Sequence, residues 1–314
     1  MDWQLFREKN DGSRSELSGK VIRLLQQEGC GLLPGELQVE LIGGEELKTG
    51  EKLRLLIKGG ENFCGRITAI SFGLDKGRVT RTVFAKDARK FLHYSDAATF
   101  SAGDFASAAG EILAKTNLSG GCSLITSGVT LSGGDGRVKQ YATMLEDLIA
   151  EHKILTGEQI LLRCEGENLH FSTFASADAV TIPVEMIHRA TLSESDEAVR
   201  TRLRLIYGEE TVQVASENGM ARWGVLQETR ILGSPLTTDV LRLYGDAQIF
   251  RLAQEQKSLE IAMAGDWNRR IGDHLSVVLP LLNVSFQGCV TKVEQQLFSG
   301  KHITKLKLQT SFGA

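Results

Sequence analysis

A chain of 314 residues with 42% hydrophobic and 24% charged side chains is long enough for two or three domains and can bury about three quarters of its unfolded surface. Its net charge of −3 leaves no electrostatic footprint for nucleic acid; no apolar run approaches the roughly 20 residues of a membrane helix, and Met1-Asp2-Trp3-Gln4 lacks the cationic start and apolar stretch of a signal peptide. The five cysteines, Cys30, Cys64, Cys122, Cys164 and Cys289, are odd in number and far apart, which excludes a disulfide framework and a paired zinc spacing and fits a reducing compartment.

In chain order, Trp3 to Phe6 reads as a first strand, Lys20 to Leu25 as an element of undetermined type, and Pro34-Gly35 as a turn. Leu37, Val39 and Leu41 then alternate, Gly43 and Gly50 punctuate, and Leu53, Leu55 and Ile57 alternate again. Phe63-Cys64-Gly65-Arg66-Ile67-Thr68 follows, with Gly77 before Val79-Thr80-Arg81. A short helix is expected over Ala85 to Leu92, with Asp87 at its start, and a domain boundary near residue 95.

From Ser101 the period becomes helical. Asp104 is a good N-cap for a helix whose apolar face is Phe105, Ala108, Ala109, Ile112 and Leu113, ending at Asn117. A second amphipathic helix is expected from Val138, with Tyr141, Leu145, Leu148 and Ile149 inward and His152 near its end. Gly133-Gly134-Asp135-Gly136 has neither the lysine-serine pair of a P-loop nor the spaced carboxylates of an EF-hand and reads as a plain turn. Ile160 to Arg163 and Leu169 to Phe171 flank Gly166 as a hairpin. A second β body is expected to begin with Val199, Thr201, Leu203 and Leu205 and to turn at Tyr207-Gly208-Glu209-Glu210 into Val212 and Val214. One long helix, started by Thr238-Asp239, carries Val240, Leu243, Tyr244, Ala247, Phe250 and Leu252 as its apolar face.

The last segment repeats the first. Leu259, Ile261 and Met263 alternate, Gly265 and Gly272 punctuate, and Leu275, Val277 and Leu279 alternate. Phe286-Gln287-Gly288-Cys289-Val290-Thr291 and then Gly300 before Ile303-Thr304-Lys305 complete the series. Glycine spacings of 7, 15 and 12 in the first copy and 7, 16 and 12 in the second would coincide by chance at any one offset about once in ten thousand. The pattern reads as a duplicated β unit, with glycines supplying positive φ at turns and Gly65 and Gly288 at bulges or bends inside strands.

No catalytic residue, cofactor or metal site is assigned. His93, His152, His170, His188, His274 and His302 stand in no metal-like pair, and GxSxG, GxGxxG and GxxxxGK[ST] are missing. Asp87 and Asp273 are the most tempting carboxylates, but each sits where a cap or turn needs one. A glycosidase built from paired carboxylates on one sheet face, and a carbohydrate-binding module, stay open as alternatives; the scattered Trp3, Trp223 and Trp267 do not favour an aromatic platform.

The series Gly50-x-x-Leu-x-Leu, Phe63-x-Gly65-x-Ile67 and Phe84-Ala85-Lys86-Asp87, followed by a short helix and the Phe105 to Leu118 helix, resembles the baseplate hub protein of contractile phage tails and phage-tail-like particles. The Asp239 to Gln256 helix, the Leu259 to Met263 strand, Gly272-Asp273-His274-Leu275 and the closing Phe286 to Leu308 segment resemble the same family's C-terminal barrel. The resemblance implies a mainly β protein with two tube-like barrels, residues 1–95 and 191–314, around an α/β insertion at 96–190. It also implies a non-enzymatic homotrimer whose partners are the tail tube protein, the central spike protein and other baseplate proteins, assembled in the bacterial cytoplasm. No lytic domain is expected after Ala314.

Overall fold

The computed structural model describes residues 3–43, 46–75, 77–123, 125–173, 179–231 and 238–310. The fold is mainly β with helices, as its residue patterns imply. The first unit is built from β1 (Trp3–Glu8), β2 (Arg14–Glu16), β3 (Val21–Gly29), β4 (Glu36–Ile42), β5 (Lys52–Ile57), β6 (Gly60–Asp75) and β7 (Arg78–Lys86), paired in the order β3-β4-β7-β6-β5-β1-β2. Period-2 alternation drives it: Leu37, Val39 and Leu41 point inward from β4, with Leu53 and Leu55 from β5 and Val83 and Ala85 from β7, while Gln38 and Glu40 stay half-exposed. The segment of undetermined type, Lys20 to Leu25, is the start of β3, entered from a 3₁₀ turn over Ser18–Lys20. Ala85 and Lys86 finish β7 instead of opening a helix, because Ala85 continues the inward alternation. The helix is a 3₁₀ turn over Ala88–His93, begun by the Asp87 carboxylate accepting from the Arg89 N–H.

A helical layer follows. After β8 (Ser95–Ala97) comes α1 (Phe105–Lys115), then β9 (Gly120–Ser123), β10 (Val138–Gln140), α2 (Tyr141–Thr156), β11 (Ile160–Glu165) and β12 (Asn168–Thr173). Asp104 caps α1 by accepting from the Ser107 N–H at 2.8 Å, and its five expected apolar residues are all buried. Val138 is an exception: it lies in β10, antiparallel to β8, and is exposed. The helix therefore starts three residues later than the apolar spacing suggests. Two helices and the sheet β11-β12-β9 share one core around Phe105, Ile112, Leu145, Leu162 and Phe171.

The second unit is entered through β13 (Val180–Ile182) and β14 (Ile187–Ser195), so the boundary expected near residue 190 falls inside a strand. The strands expected to open the second β body instead form a separate sheet, β15 (Arg202–Tyr207), β16 (Glu210–Ala215) and β17 (Gln227–Ile231), ordered β16-β15-β17, with a short helix α3 (Glu217–Trp223) between them. The long helix α4 (Thr238–Leu252) packs on this small sheet through Leu241, Tyr244 and Ile249. Leu243 and Phe250, expected inward, are exposed. Gly245 decides the face, because its bare backbone lets the helix settle onto Val214 and Leu205.

The chain then returns with β18 (Gln256–Ala264), β19 (His274–Leu279), β20 (Val284–Phe298) and β21 (Lys301–Gln309), ordered β14-β18-β21-β20-β19. Strand for strand this is β3-β4-β7-β6-β5, with Leu259, Ile261, Leu275, Val277, Leu306 and Leu308 as its core. The units are not two separate bodies. β20 pairs with β3 as well as β21, so the pairing runs as one path from β14 to β2, and among the described residues no strand pair closes either unit on itself.

Candidate assembly surface

The eight glycines singled out by spacing do not converge on a pocket; they occupy corresponding places in the two units. Gly50 (φ +90°) and Gly272 (φ +87°) each turn the chain into the strand that follows, and their N–H groups donate to Ile67 O and Val290 O, both at 2.9 Å. Ile67 N and Val290 N reciprocate to Glu51 O and Asp273 O at 2.8 and 2.9 Å. Gly65 lies opposite Leu53, and Gly288 opposite Leu275. Neither stands at a bulge or a positive φ, contrary to expectation. The bulges come later, between Ile67 and Ala69 and between Val290 and Lys292, and the glycines are needed for close approach. A Cβ on Gly65 would lie 2.6 Å from both Lys86 O and the Phe63 ring, and one on Gly288 would collide with Gln309 O and sit 2.7 Å from the Phe286 ring. Gly77 and Gly300 form the hairpin tips. Gly43 and Gly265 donate to Val79 O and His302 O at 3.4 and 3.0 Å. Only Gly43 has positive φ, at +102°. Gly265 lies flat under the His302 ring, which stacks on Trp267 at 4.1 Å.

The feature with assembly chemistry, which the glycine spacing did not reveal, is the seam between the units. β3 is hydrogen-bonded on both sides, to β4 and to the distal half of β20, with Lys292 opposite Gly29, Gln295 opposite Gln26 and Leu297 opposite Leu24. Gln27 Nε2 donates to Glu294 Oε2 at 2.8 Å across the seam, and Lys305 Nζ meets the other oxygen at 2.7 Å. Burial pushes the Glu294 carboxyl up, but these two donors overcome it and hold it below the usual carboxylate range. Gln295 is buried, accepting from Thr304 Oγ1 at 2.6 Å and donating to Asp266 O at 2.9 Å. Trp267 and Leu297, both from the second unit, pack against the core of the first.

The carboxylates of interest are committed to the scaffold. Asp87 accepts from Gly35 N at 2.9 Å and pairs with the fully buried Arg89 at 2.7 Å, which also donates to Gly29 O and Gly31 O at 3.1 and 3.2 Å. Asp273 accepts from Arg270 N at 3.0 Å, and burial pushes its carboxyl up. A buried Arg7–Glu51 pair at 2.6 Å anchors β1 beside the Gly50 turn. A polar cleft of about 640 Å³ lies among Glu28, Arg54, Glu61, Arg163, Glu167 and Arg270. Glu61 pairs with Arg54, Glu167 with Lys52 at 2.7 Å and Glu28 with Arg89 at 3.5 Å. Among the described residues no cluster of three or more His, Cys, Asp or Glu could hold a metal. Of the three tryptophans weighed for an aromatic platform, Trp3 is buried, Trp267 stacks on His302 and the half-buried Trp223 lies under the Arg222 guanidinium at 4.3 Å.

A family model described as YQBQ-like matches residues 32–309. No curated protein matches the chain. Among solved structures, a tail protein from Neisseria meningitidis is 11% identical with a TM-score of 0.74, covering 99% of this chain and 97% of its own. The 43 kDa tail protein of prophage MuSo2 from Shewanella oneidensis is 11% identical with a TM-score of 0.69, covering 97% of each chain. An E. coli protein is 9% identical with a TM-score of 0.53 over 94% of this chain and 74% of its own. It is described as a component of the type VI secretion system structurally similar to bacteriophage T4 tail proteins gp27 and gp5. The chain shares the fold of these tail proteins.

Proposed function

The chain belongs to the YQBQ-like family, and on that premise we propose that it is a structural hub of a phage-like tail baseplate, acting without catalysis. In this reading it is a homotrimer that joins a six-fold tail tube to a three-fold central spike, held among other baseplate proteins. The observation that carries the reading is the pair of matched units: β4-β7-β6-β5 and β18-β21-β20-β19 share strand order. Their pairings keep the same register, including the bulge between Ile67 and Ala69 that recurs between Val290 and Lys292, up to a second bulge between Leu55 and Leu56 that only the first unit has. We take them as products of duplication. Two such units in one chain are redundant for a monomer, whereas three chains would set six near-equivalent sheets around one axis, one for each tube subunit. The tail-protein fold supports the same reading, as does the commitment of the tempting carboxylates to caps and ion pairs.

The helical layer and the β15–β17 sheet with α4 have no counterpart in the other unit, so contacts to the three-fold partner are assigned there. Light scattering on the purified protein, alone and mixed with the tube and spike proteins of the same particle, tests the proposal. A trimer that binds both neighbours is expected. A strict monomer at high concentration that binds neither would end the hub reading.

A further inference from the structure

The seam inside the chain has half-made counterparts at its two ends. β14 corresponds to β3: both pair antiparallel with the first strand of a unit, Leu24 opposite Val39 and Ala190 opposite Ile261, and both bulge at their start, between Val21 and Arg23 and between Ile187 and Arg189. Yet β3 is paired on both sides, and among the described residues β14 pairs only with β18. Likewise β6 corresponds to β20, Ala69 standing where Lys292 stands. The distal half of β20 is paired on both sides, whereas among the described residues positions 69–75 of β6 pair only with β7. Among the described residues one chain therefore carries two unpaired strand edges, each with its own N–H and C=O groups, that match a joint already made within it.

The side chains agree with the backbone. The distal β6/β7 hairpin exposes Phe72 at 70%, Leu74 at 76% and Val79 at 50%. Their counterparts on β20 and β21 are Gln295, Leu297 and His302, which the seam covers. A flat unpaired edge with large exposed apolar side chains is a template for pairing with another strand. On the other edge, Ala190 and Leu192 of β14 already pack against the second core from one side, as Leu24 does in the first unit.

We propose that β14 of one copy pairs antiparallel with residues 69–75 of β6 in a second copy of this chain, reproducing between molecules the β3–β20 seam. Transferring the register of the seam puts Leu192 opposite Phe72, Ala190 opposite Leu74 and Ser193 opposite Ser71. Phe72 and Leu74 of one copy then cap the second core of the next, as Leu297 caps the first core within each chain. The contact is head-to-tail, so repeating it makes a ring or an open chain; closure after three copies rests on the proposed function, whereas the pairing itself does not.

Two variants test the joint by light scattering and non-reducing electrophoresis. Leu74→Asp places a charge inside the joint, opposite Ala190, while leaving the isolated fold intact, since Leu74 is exposed. It should weaken self-association at least tenfold with little change in the thermal midpoint. The double variant S71C/S193C, oxidised, should give a ladder ending in a covalent trimer that collapses on reduction, and an equimolar mixture of the two single variants should stop at a covalent dimer. Either single variant alone controls for the exposed Cys30 and Cys122. Wild-type association unaffected by Leu74→Asp, an oligomer in which S71C/S193C never cross-links, or a wild type that is monomeric at every concentration would each overturn the joint. A trimer that binds tube and spike but ignores both variants sinks the joint and leaves the hub reading standing; a cross-linked ring that binds neither neighbour does the reverse.

Discussion

Gly65 illustrates how a residue can be identified correctly and explained wrongly. Its place in the repeat points to a positive φ or a bulge, but it has neither, and what forbids a side chain is the Lys86 carbonyl and the Phe63 ring, each 2.6 Å from where a Cβ would be. Gly65→Val should therefore cost about 2–4 kcal/mol by overpacking a site bounded by backbone, which cannot move aside as a flexible side chain would. Denaturant unfolding measures it directly, and a loss under about 0.5 kcal/mol would mean that Phe63 and β7 yield. The same reasoning applies to Gly288, whose barrier is again a carbonyl and a ring, Gln309 and Phe286. Short-range spacing located both residues; of the atoms that constrain them, the ring lies two positions back, but the carbonyl of Lys86 or Gln309 lies 21 positions on and meets the glycine only in the sheet.

Among the elements, α4 shows tertiary contact overruling periodicity. Leu243 and Phe250 look as apolar as Leu241 and Ile249, yet the helix turns the second set inward and leaves the first in solvent. The deciding residue is Gly245, where a Cβ would lie 2.9 and 3.0 Å from the Val214 methyl groups. Gly245→Ala is a discriminating test, because intrinsic helix propensity alone would stabilise the protein by about 1 kcal/mol. Loss of the close helix-to-sheet contact should outweigh that gain and give a net loss of about 1–2 kcal/mol. A more stable variant in denaturant unfolding would show that the small sheet adjusts freely. By contrast α1 has both its cap and its whole apolar face written locally, and there periodicity and structure agree residue for residue.

At the scale of the whole molecule, the two units share one sheet through β3 and β20, while β15–β17 and α4 keep a core of their own around Leu203, Leu205, Val212 and Tyr244. A strand bonded on both sides opens only when its neighbours do, so hydrogen exchange should find the slowest amides in β3 and the distal half of β20. Residues 202–252 should exchange faster, as a separate cooperative unit. Equal protection of β15–β17 and β20 would instead mean that the small sheet unfolds only with the main one. The seam gives the pairing path its continuity, and its two unmatched edges are what a neighbouring copy would complete.

Alternation, glycine turns and the Asp104 cap determined by themselves that the protein is β-rich, that a helical layer interrupts it and that two segments share one strand pattern, because each signal is carried by residues close together in the chain. The sequence did not disclose that β3 bridges the two units, that β14 belongs with β18 across the intervening small sheet, or that Arg89 gathers Asp87, Gly29 and Gly31 around itself. Pairings such as Leu24 with Leu297 join positions more than 270 residues apart. Backbone hydrogen bonds of this kind impose no requirement on side-chain type, so they leave no pattern to read until the strands are side by side.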